Sequence, residues 1–485
     1  MKNKILTALA ISAMATSSLS ALETDKVKLA NNMILTYKED AKRVNSITDM
    51  FKEGQFFGRM RFNSFYWDWA EEEGTNNKDN SIAAVGGSLT YRTALYNGFG
   101  ATVGLYNASP LASTNYTKLK AGADVYFKGA GEENAAINTL AIAFLEYNNY
   151  KTSAKLGRQK FESTLLRSND TKMVPNTFQG YSIDTKIVSK TRLRAAYFDK
   201  QKLRNHEGFG SIIAVDGTNG NDDSARHKGL TLAKISAAEV NANPGMVVLT
   251  AQNRSIKGLK LNADYMFIDG FVSSIIPEVN YKIDIGNGWS VTPGARYISQ
   301  IDEGAGAIGG AALSGKVSTA TPGGYTNPNS VDASAWMTRI KVKKGAGNIM
   351  LGYSSIDNKA DIIAPWRGFP TGGYTRSMAQ YNWEAGTNSW MLKAGYNFGK
   401  AGLVSGLRMN IDYAVMDYDR AKELAGSISK TDRSIIHLDV WKTFKSLPDL
   451  ELKFRAASVN ADKNIGEATD DQSYNEYRLE ANYLF

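Results

Sequence analysis

The last nine residues, Tyr477-Arg478-Leu479-Glu480-Ala481-Asn482-Tyr483-Leu484-Phe485, decide the fold. Successive side chains of a strand point to opposite faces. Tyr477, Leu479, Ala481, Tyr483 and Phe485 therefore share one face, and Arg478, Glu480 and Asn482 share the other. The same alternation recurs upstream. Met60, Phe62 and Tyr66 oppose Arg59, Arg61 and Asn63; Leu450, Leu452 and Phe454 oppose Glu451, Lys453 and Arg455. Leu407, Met409, Ile411, Tyr413 and Val415 oppose Arg408, Asn410 and Asp412. Trp390, Leu392, Ala394, Tyr396 and Phe398 oppose Lys393 and Asn397. A soluble sandwich also alternates, but its inner face would be Leu, Ile and Val with few aromatics at strand ends. Here Tyr and Trp stud the apolar face. An Arg or Lys held in hydrocarbon near the midplane costs about 2–4 kcal/mol, so the charged face must be wet and the apolar face lies in lipid.

The connections agree with that wall. Tight turns are expected at Asn97-Gly98, Asn148-Asn149, Ser189-Lys190, Arg254 to Gly258, Gly286-Asn287-Gly288, Lys344 to Gly347, Gly399 to Gly402 and Ser446 to Asp449. Between them run long polar stretches such as Lys202 to Pro244, Asp302 to Ala333 and Asp357 to Thr387. Short turns at one end and long loops at the other is the asymmetry of an outer-membrane barrel. Counting between these marks gives eight turns, nine loops and eighteen strands, an even number as closure requires. Lys118 to Phe127 alternates too, yet falls inside the second loop in this count. The fold class is all-β: one closed transmembrane antiparallel barrel over residues 55–485. A barrel of this size leaves an aqueous channel.

The N-terminus sets the compartment. Lys2 and Lys4 precede an apolar run from Ile5 to Ala15, and Ser18-Leu19-Ser20 offers small residues before Ala21. That is the layout of a secretory signal peptide, residues 1–20. Residues 21–54 then form an N-terminal periplasmic segment. Cysteine is absent, so neither disulfides nor thiolate metal sites contribute. The formal charge of +9 is spread along the chain, without the concentrated basic face of a nucleic-acid binder. Aromatics are 11% of residues and include 24 Tyr, a bias suited to aromatic girdles at both membrane interfaces.

Two features carry a family resemblance. The chain stops on an aromatic closing an alternating strand, and this ending, Tyr483 and Phe485, resembles the C-terminal assembly signal of bacterial outer-membrane proteins. The run Gly157-Arg158-Gln159, then Ser168-Asn169-Asp170-Thr171-Lys172, then Val174-Pro175-Asn176-Thr177-Phe178-Gln179-Gly180, resembles the OprD-type porin family, as does Ala295-Arg296-Tyr297 with Gln300. The resemblance implies an eighteen-stranded porin of the Gram-negative outer membrane whose third loop, about residues 161–178, folds into the pore. Arg167, Ser168, Asn169, Asp170 and Lys172 would line that constriction. It also implies a lumenal basic row that guides carboxylate-bearing or amino-acid-like solutes. The candidates are Arg59, Arg61, Arg158, Arg296, Arg339, Lys341, Lys393, Arg408, Lys453, Arg455 and Arg478, facing Asp412, Asp439, Glu451 and Glu480. Two departures stand out. Lys172 occupies a place where the family pattern has Arg, keeping charge but losing the bidentate fork. Residues 21–54 exceed what the pattern needs, which implies a short helix or a cap at the periplasmic mouth.

Other signals are set aside. Gly304 to Gly309 matches GxGxxG and Gly310 to Lys316 nearly spells a P-loop, but neither sits in a βαβ unit and Val317 replaces the magnesium-holding hydroxyl. Both read as flexible outer loop. Asp216 to Asp223 lacks calcium-loop spacing. The three histidines, His206, His227 and His437, do not form a cluster for metal. His437 and Asp439 share a strand face, yet enzymatic barrels have fewer strands. The expectation is therefore a pore with no cofactor, metal or catalytic residue, and no nucleic-acid partner. Its surroundings are outer-membrane lipid and lipopolysaccharide, the outer-membrane assembly machinery and small polar solutes, with the chain as a monomer or loose homotrimer. The competing class is a structural or adhesive barrel closed by its loops.

Overall fold

The computed structural model describes residues 27–29, 32–72, 79–114, 136–214, 226–428, 430–462 and 471–485. The leader, Lys118–Phe127 and Asp216–Asp223 lie outside those residues.

Eighteen long strands form the wall. They are β1 Gln55–Trp69, β2 Asn80–Arg92, β3 Phe99–Thr114, β4 Ile137–Asn148, β5 Thr152–Gln159 and β6 Thr177–Thr185. The next six are β7 Thr191–Lys202, β8 Met246–Asn253, β9 Leu259–Ile268, β10 Val272–Tyr281, β11 Trp289–Asp302 and β12 Ala333–Lys344. The last six are β13 Gly347–Ile356, β14 Asn388–Asn397, β15 Leu407–Asp417, β16 Arg433–Thr443, β17 Leu450–Ala461 and β18 Tyr474–Leu484. Each runs antiparallel to the next, and β18 closes on β1 with Tyr474 opposite Trp69 and Leu484 opposite Arg59. The eight tight turns fall where the sequence marks them; residues at positive φ, including Asn97, Lys190 and Asn287, make the reversals. The outer connections range from the three residues Asp269-Gly270-Phe271 to the stretch between Lys202 and Met246.

The alternation is realised as drawn. Tyr477 and Leu479 are 41% and 47% exposed on the outer face, while Arg478 and Glu480, which follow them in turn, are 6% and 2% exposed on the lumenal face. Outward aromatics gather at two levels. Phe99, Tyr147, Tyr281, Trp289 and Tyr396 stand near the turns, and Tyr66, Tyr297, Trp336, Tyr353, Trp390 and Tyr477 stand toward the loops. These are the two interface girdles. At the seam, Gly58 N–H donates to Phe485 O (2.8 Å) and Phe485 N–H to Gly58 O (3.1 Å). The Phe485 ring lies on Gly58, where a Cβ would come within 2.6 Å of a ring carbon.

The long loops turn inward. Ile212 and Leu230 of the fourth loop, Leu313, Val317 and Tyr325 of the sixth, and Ile362, Ile363 and Trp366 of the seventh share one buried cluster. Trp366 Nε1–H donates to Ile212 O at 2.8 Å. The glycine-rich run expected as flexible outer loop is packed instead. Ala305–Gly309 is a single helical turn with Ala305, Gly306 and Gly309 buried, because its small residues let three loops approach one another. His227 ties the fourth loop to the sixth. Its Nδ1 accepts Gly229 N–H (3.1 Å), so the proton rides on Nε2 and is donated to Gly310 O (2.7 Å).

The seam predicts that Phe485→Ala, which removes the ring, and Gly58→Leu, which displaces it, each lower the temperature at which the barrel loses its compact mobility in detergent gels. An unchanged transition in both would show that the ring does not hold the seam. Burial lowers the His227 pKa to about 4, below the free value of about 6.5. The neutral ring's contribution is complete above the free value and is lost as pH falls through the lowered one. Protection factors in residues 226–230 and 309–317 should fall on acidification toward pH 4 and become insensitive to pH in His227→Gln.

Candidate functional site

The third loop, residues 160–176, lies inside the barrel because β1 offers it a track. After Gln159 the chain makes a small hairpin: Ser163 N–H donates to Leu166 O (2.6 Å), Leu166 N–H to Ser163 Oγ (3.1 Å) and Phe161 N–H to Ser168 Oγ (3.1 Å). Leu165 and Leu166 are thereby buried against the core cluster. Asn169 Oδ1 then accepts Thr171 N–H (3.1 Å) and its hydroxyl (2.7 Å), an Asx turn that aims Asp170 at the wall. The Asp170 carboxylate sits between two guanidinium groups, pairing with Arg59 and, at 2.9 Å, with Arg61. Two residues on, Asn63 Nδ2 donates to Lys172 O (2.6 Å), and Lys172 Nζ stands 3.7 Å from the centre of the Phe65 ring. Arg59, Arg61, Asn63 and Phe65 are consecutive lumenal positions of β1, so the period of two becomes a docking ladder. The lysine standing where the family pattern has arginine makes a cation–π contact that needs no fork.

A second loop meets the first. The seventh loop, residues 357–387, enters the lumen and pairs backbone with the third: Arg167 N–H donates to Trp366 O (2.8 Å) and Gly368 N–H to Leu165 O (2.7 Å). A Cβ at Gly368 would lie 2.1 Å from the Leu165 carbonyl carbon, so only glycine permits this approach. The opposite wall holds the loop by its carbonyls. Arg296 Nη1 donates to Pro370 O (2.8 Å) and Gly372 O (3.1 Å), and Arg339 Nη1 to Gly373 O (2.7 Å). The Tyr374 ring lies between the two guanidinium groups, 4.8 and 4.7 Å from them. Farther along, Ser377 Oγ–H donates to Asp412 (2.6 Å). Asp412 also meets Lys393 at 3.1 Å and His437 Nδ1 at 3.0 Å, and the far nitrogen of His437 lies 3.2 Å from Asp439.

Most of the basic row is engaged in ion pairs. Arg59 and Arg61 share Asp170; Arg296 pairs with Glu278 (2.5 Å), Arg408 with Glu451 (3.0 Å), Arg455 with Asp439 (2.6 Å) and Arg478 with Glu476. Lys453 stands 3.9 Å from Asp439, and Glu480 is buried opposite Lys453 and Asn63. Arg158 is a correction. It pairs across the sheet with Ala143 and Gln179, on the face of exposed Leu156 and Tyr181, and so stands on the outer side. Buried Gln159, its neighbour, takes the lumenal phase instead. Lys341 remains lumenal and exposed. Its charged neighbours are Arg339, Lys343 and Lys393, all basic.

Sequence reasoning missed the seventh loop. Its signal was composition, since Trp366, Phe369, Tyr374, Tyr381 and Trp383 are too many aromatics for a stretch bathed in water. Lys260 and Lys343, also lumenal, were missed because their strands alternate less cleanly. An N-terminal hairpin, Val27–Leu29 with Leu35–Tyr37, also lies in the lumen. Among the described residues no group of His, Cys, Asp and Glu is arranged to hold a metal ion.

A family profile described as outer membrane porin, OprD family, matches residues 144–485. No curated protein matches the chain. Among solved structures, OpdK of Pseudomonas aeruginosa is 14% identical with a TM-score of 0.68, covering 90% of this chain and 99% of that one. A BenF-like porin from Pseudomonas fluorescens Pf-5 is 15% identical with a TM-score of 0.68 and the same coverage. OccAB4 of Acinetobacter baumannii is 14% identical with a TM-score of 0.67, covering 89% of this chain and 98% of that one. At such identities the likeness concerns the fold, and the profile supplies the family. An eighteen-stranded closed wall with a matched profile over most of its length leaves one assignment: the chain belongs to the OprD family of outer membrane porins.

Proposed function

We propose that this porin favours small carboxylate-bearing solutes, amino acids and short peptides among them, and that the third loop with the lumenal basic side chains sets the width and the field of its narrowest part. The observation that carries the reading is on β12. Arg339, Lys341 and Lys343 share its lumenal face, and the groups charged around Lys341 are all positive. Lys260 on β9 adds to them, with Glu278 as well as Arg254, Arg339 and Arg167 among its charged neighbours. Glu278 lies at the edge of this group, 3.9 Å from Arg339 and paired with Arg296, while Asp412 and Asp439 offset Lys393 and Arg455. The surplus positive charge is therefore that of Lys341 and Lys343, exposed on the lumenal face of β12, where a passing carboxylate is attracted without displacing an existing partner. OpdK was crystallised with vanillate, itself a carboxylate. A barrel sealed by its loops is the second reading, favoured by the apolar cluster that the fourth, sixth and seventh loops build at the outer mouth.

Planar-bilayer recording separates the two: discrete conductance steps support the pore, and a silent membrane containing folded protein supports the sealed barrel. In a salt gradient the reversal potential should report anion preference. Lys341→Gln with Lys343→Gln should shift it toward zero, and cation preference in the parent protein would sink the carboxylate reading. Asp170→Ala leaves Arg59 and Arg61 buried without their carboxylate, a loss of about 3–5 kcal/mol for a broken buried pair. It should free Asn169–Lys172 from β1 and raise conductance; an unchanged step size would remove the third loop from the constriction.

A further inference from the structure

The third loop is met from below. The hairpin Val27–Leu29 with Leu35–Tyr37 rises from the short-turn end, with Val27 and Leu35 buried against Phe57 and Leu484, both lumenal residues at the seam. Tyr37 adds its ring, 5.2 Å from that of Phe57, with the Arg92 guanidinium 4.8 Å above it. The tip engages the very residues that dock the loop. Arg59 Nη1 donates to Met33 O (2.8 Å) while its other terminal nitrogen pairs with Asp170. Asp170 N–H donates to Asn32 O (3.0 Å), Asn32 Nδ2 to Glu162 (2.8 Å) and Lys160 Nζ to Leu35 O (2.8 Å). Four polar bonds thus join hairpin, loop and β1 into one unit on the seam side of the lumen. On the other side a cavity of about 240 Å³ separates Leu29 and Met33 from Asn348, Arg408, Trp441 and Glu451 of the far wall.

We propose that this hairpin is the second wall of the constriction: a fixed lumenal insert that covers the Arg59–Asp170–Arg61 cluster and confines solutes to the cavity between Leu29 and Met33 on one side and strands β13–β17 on the other. The inference rests on the pore reading and adds a specificity element to it. A solute that clears the third loop must next pass an apolar edge on one side and an Arg408–Glu451 pair over the Trp441 ring on the other. The basic groups of β1 are closed to it, since the insert and Asp170 occupy them. Outside the barrel the chain is held by Ala94 N–H to Met50 O (2.9 Å) and Leu95 N–H to Lys42 O (2.7 Å), so the hairpin is anchored at both its tip and its root.

The chain has no cysteine, so one introduced thiol reports alone. Leu29→Cys in the full chain should react with a water-soluble methanethiosulfonate, and each modification should lower the single-channel conductance in steps. In a second variant, Leu35→Glu, a charge placed in the apolar contact with Phe57 should release the insert and raise the conductance; combined with Leu29→Cys it should abolish the block. Absence of reaction, or reaction with no change in conductance, overturns the insert. If Leu35→Glu does not fold, judged by heat-modifiable mobility, the single Leu29→Cys arm decides. A silent parent protein would instead sink the pore reading, while a conducting parent indifferent to both variants sinks the insert alone.

Discussion

A peptide group in hydrocarbon has no water to bond, so every N–H and C=O of the wall must find its partner in a neighbouring strand. This requirement closes the sheet, and closure creates the lumen on which all else depends. The last bonds of the cylinder join Gly58, near the start of β1, to Phe485, which follows β18, across the β1–β18 seam. Because β1 is the closing strand and also the docking track for the third loop, the seam and the docked loop lie on the same side of the lumen. Arg59 makes the link explicit. It stands opposite Leu484 in the closing ladder and pairs with Asp170 inside.

Inside the wall, charge is arranged for placement before it is arranged for solutes. A buried guanidinium without a partner is costly, and the wall meets this cost with carboxylates and loop carbonyls. Arg296 takes Glu278 and two carbonyls of the seventh loop; Asp412 takes Lys393, His437 and Ser377. Among the described residues Lys341 and Lys343 are lumenal and face water, as their compact, readily hydrated ammonium groups allow.

Much of this was legible in the sequence because it is local. The period of two in β18, β15 and β1, the turn dipeptides and the terminal aromatic each depend on residues within one strand or one reversal. The eighteen strands and their eight turns follow from them. The inward path of the third loop was accessible through family resemblance, and its docking ladder was already written in Arg59, Arg61 and Asn63. What could not be read is long-range. Nothing near Asp170 announces that its partners lie on β1, and nothing near Met33 announces Arg59. The residue type of Arg158 points to the lumen, but strand phase points outward, as its buried neighbour Gln159 shows. The seventh loop has the length of a polar outer loop, but its tryptophans and tyrosines indicate burial.

The wall recognises its inserts largely through their backbones. Met33 O, Leu35 O, Lys172 O, Pro370 O, Gly372 O and Gly373 O are the atoms gripped by side chains outside the inserted segments or at their roots. A carbonyl is common to every amino acid. Residues at these positions can therefore be exchanged during evolution without forfeiting the grip, and the lining of the pore can diversify while its scaffold stays put. A single cylinder of this kind is in effect a socket, able to accept many differently decorated linings and so to serve many diets.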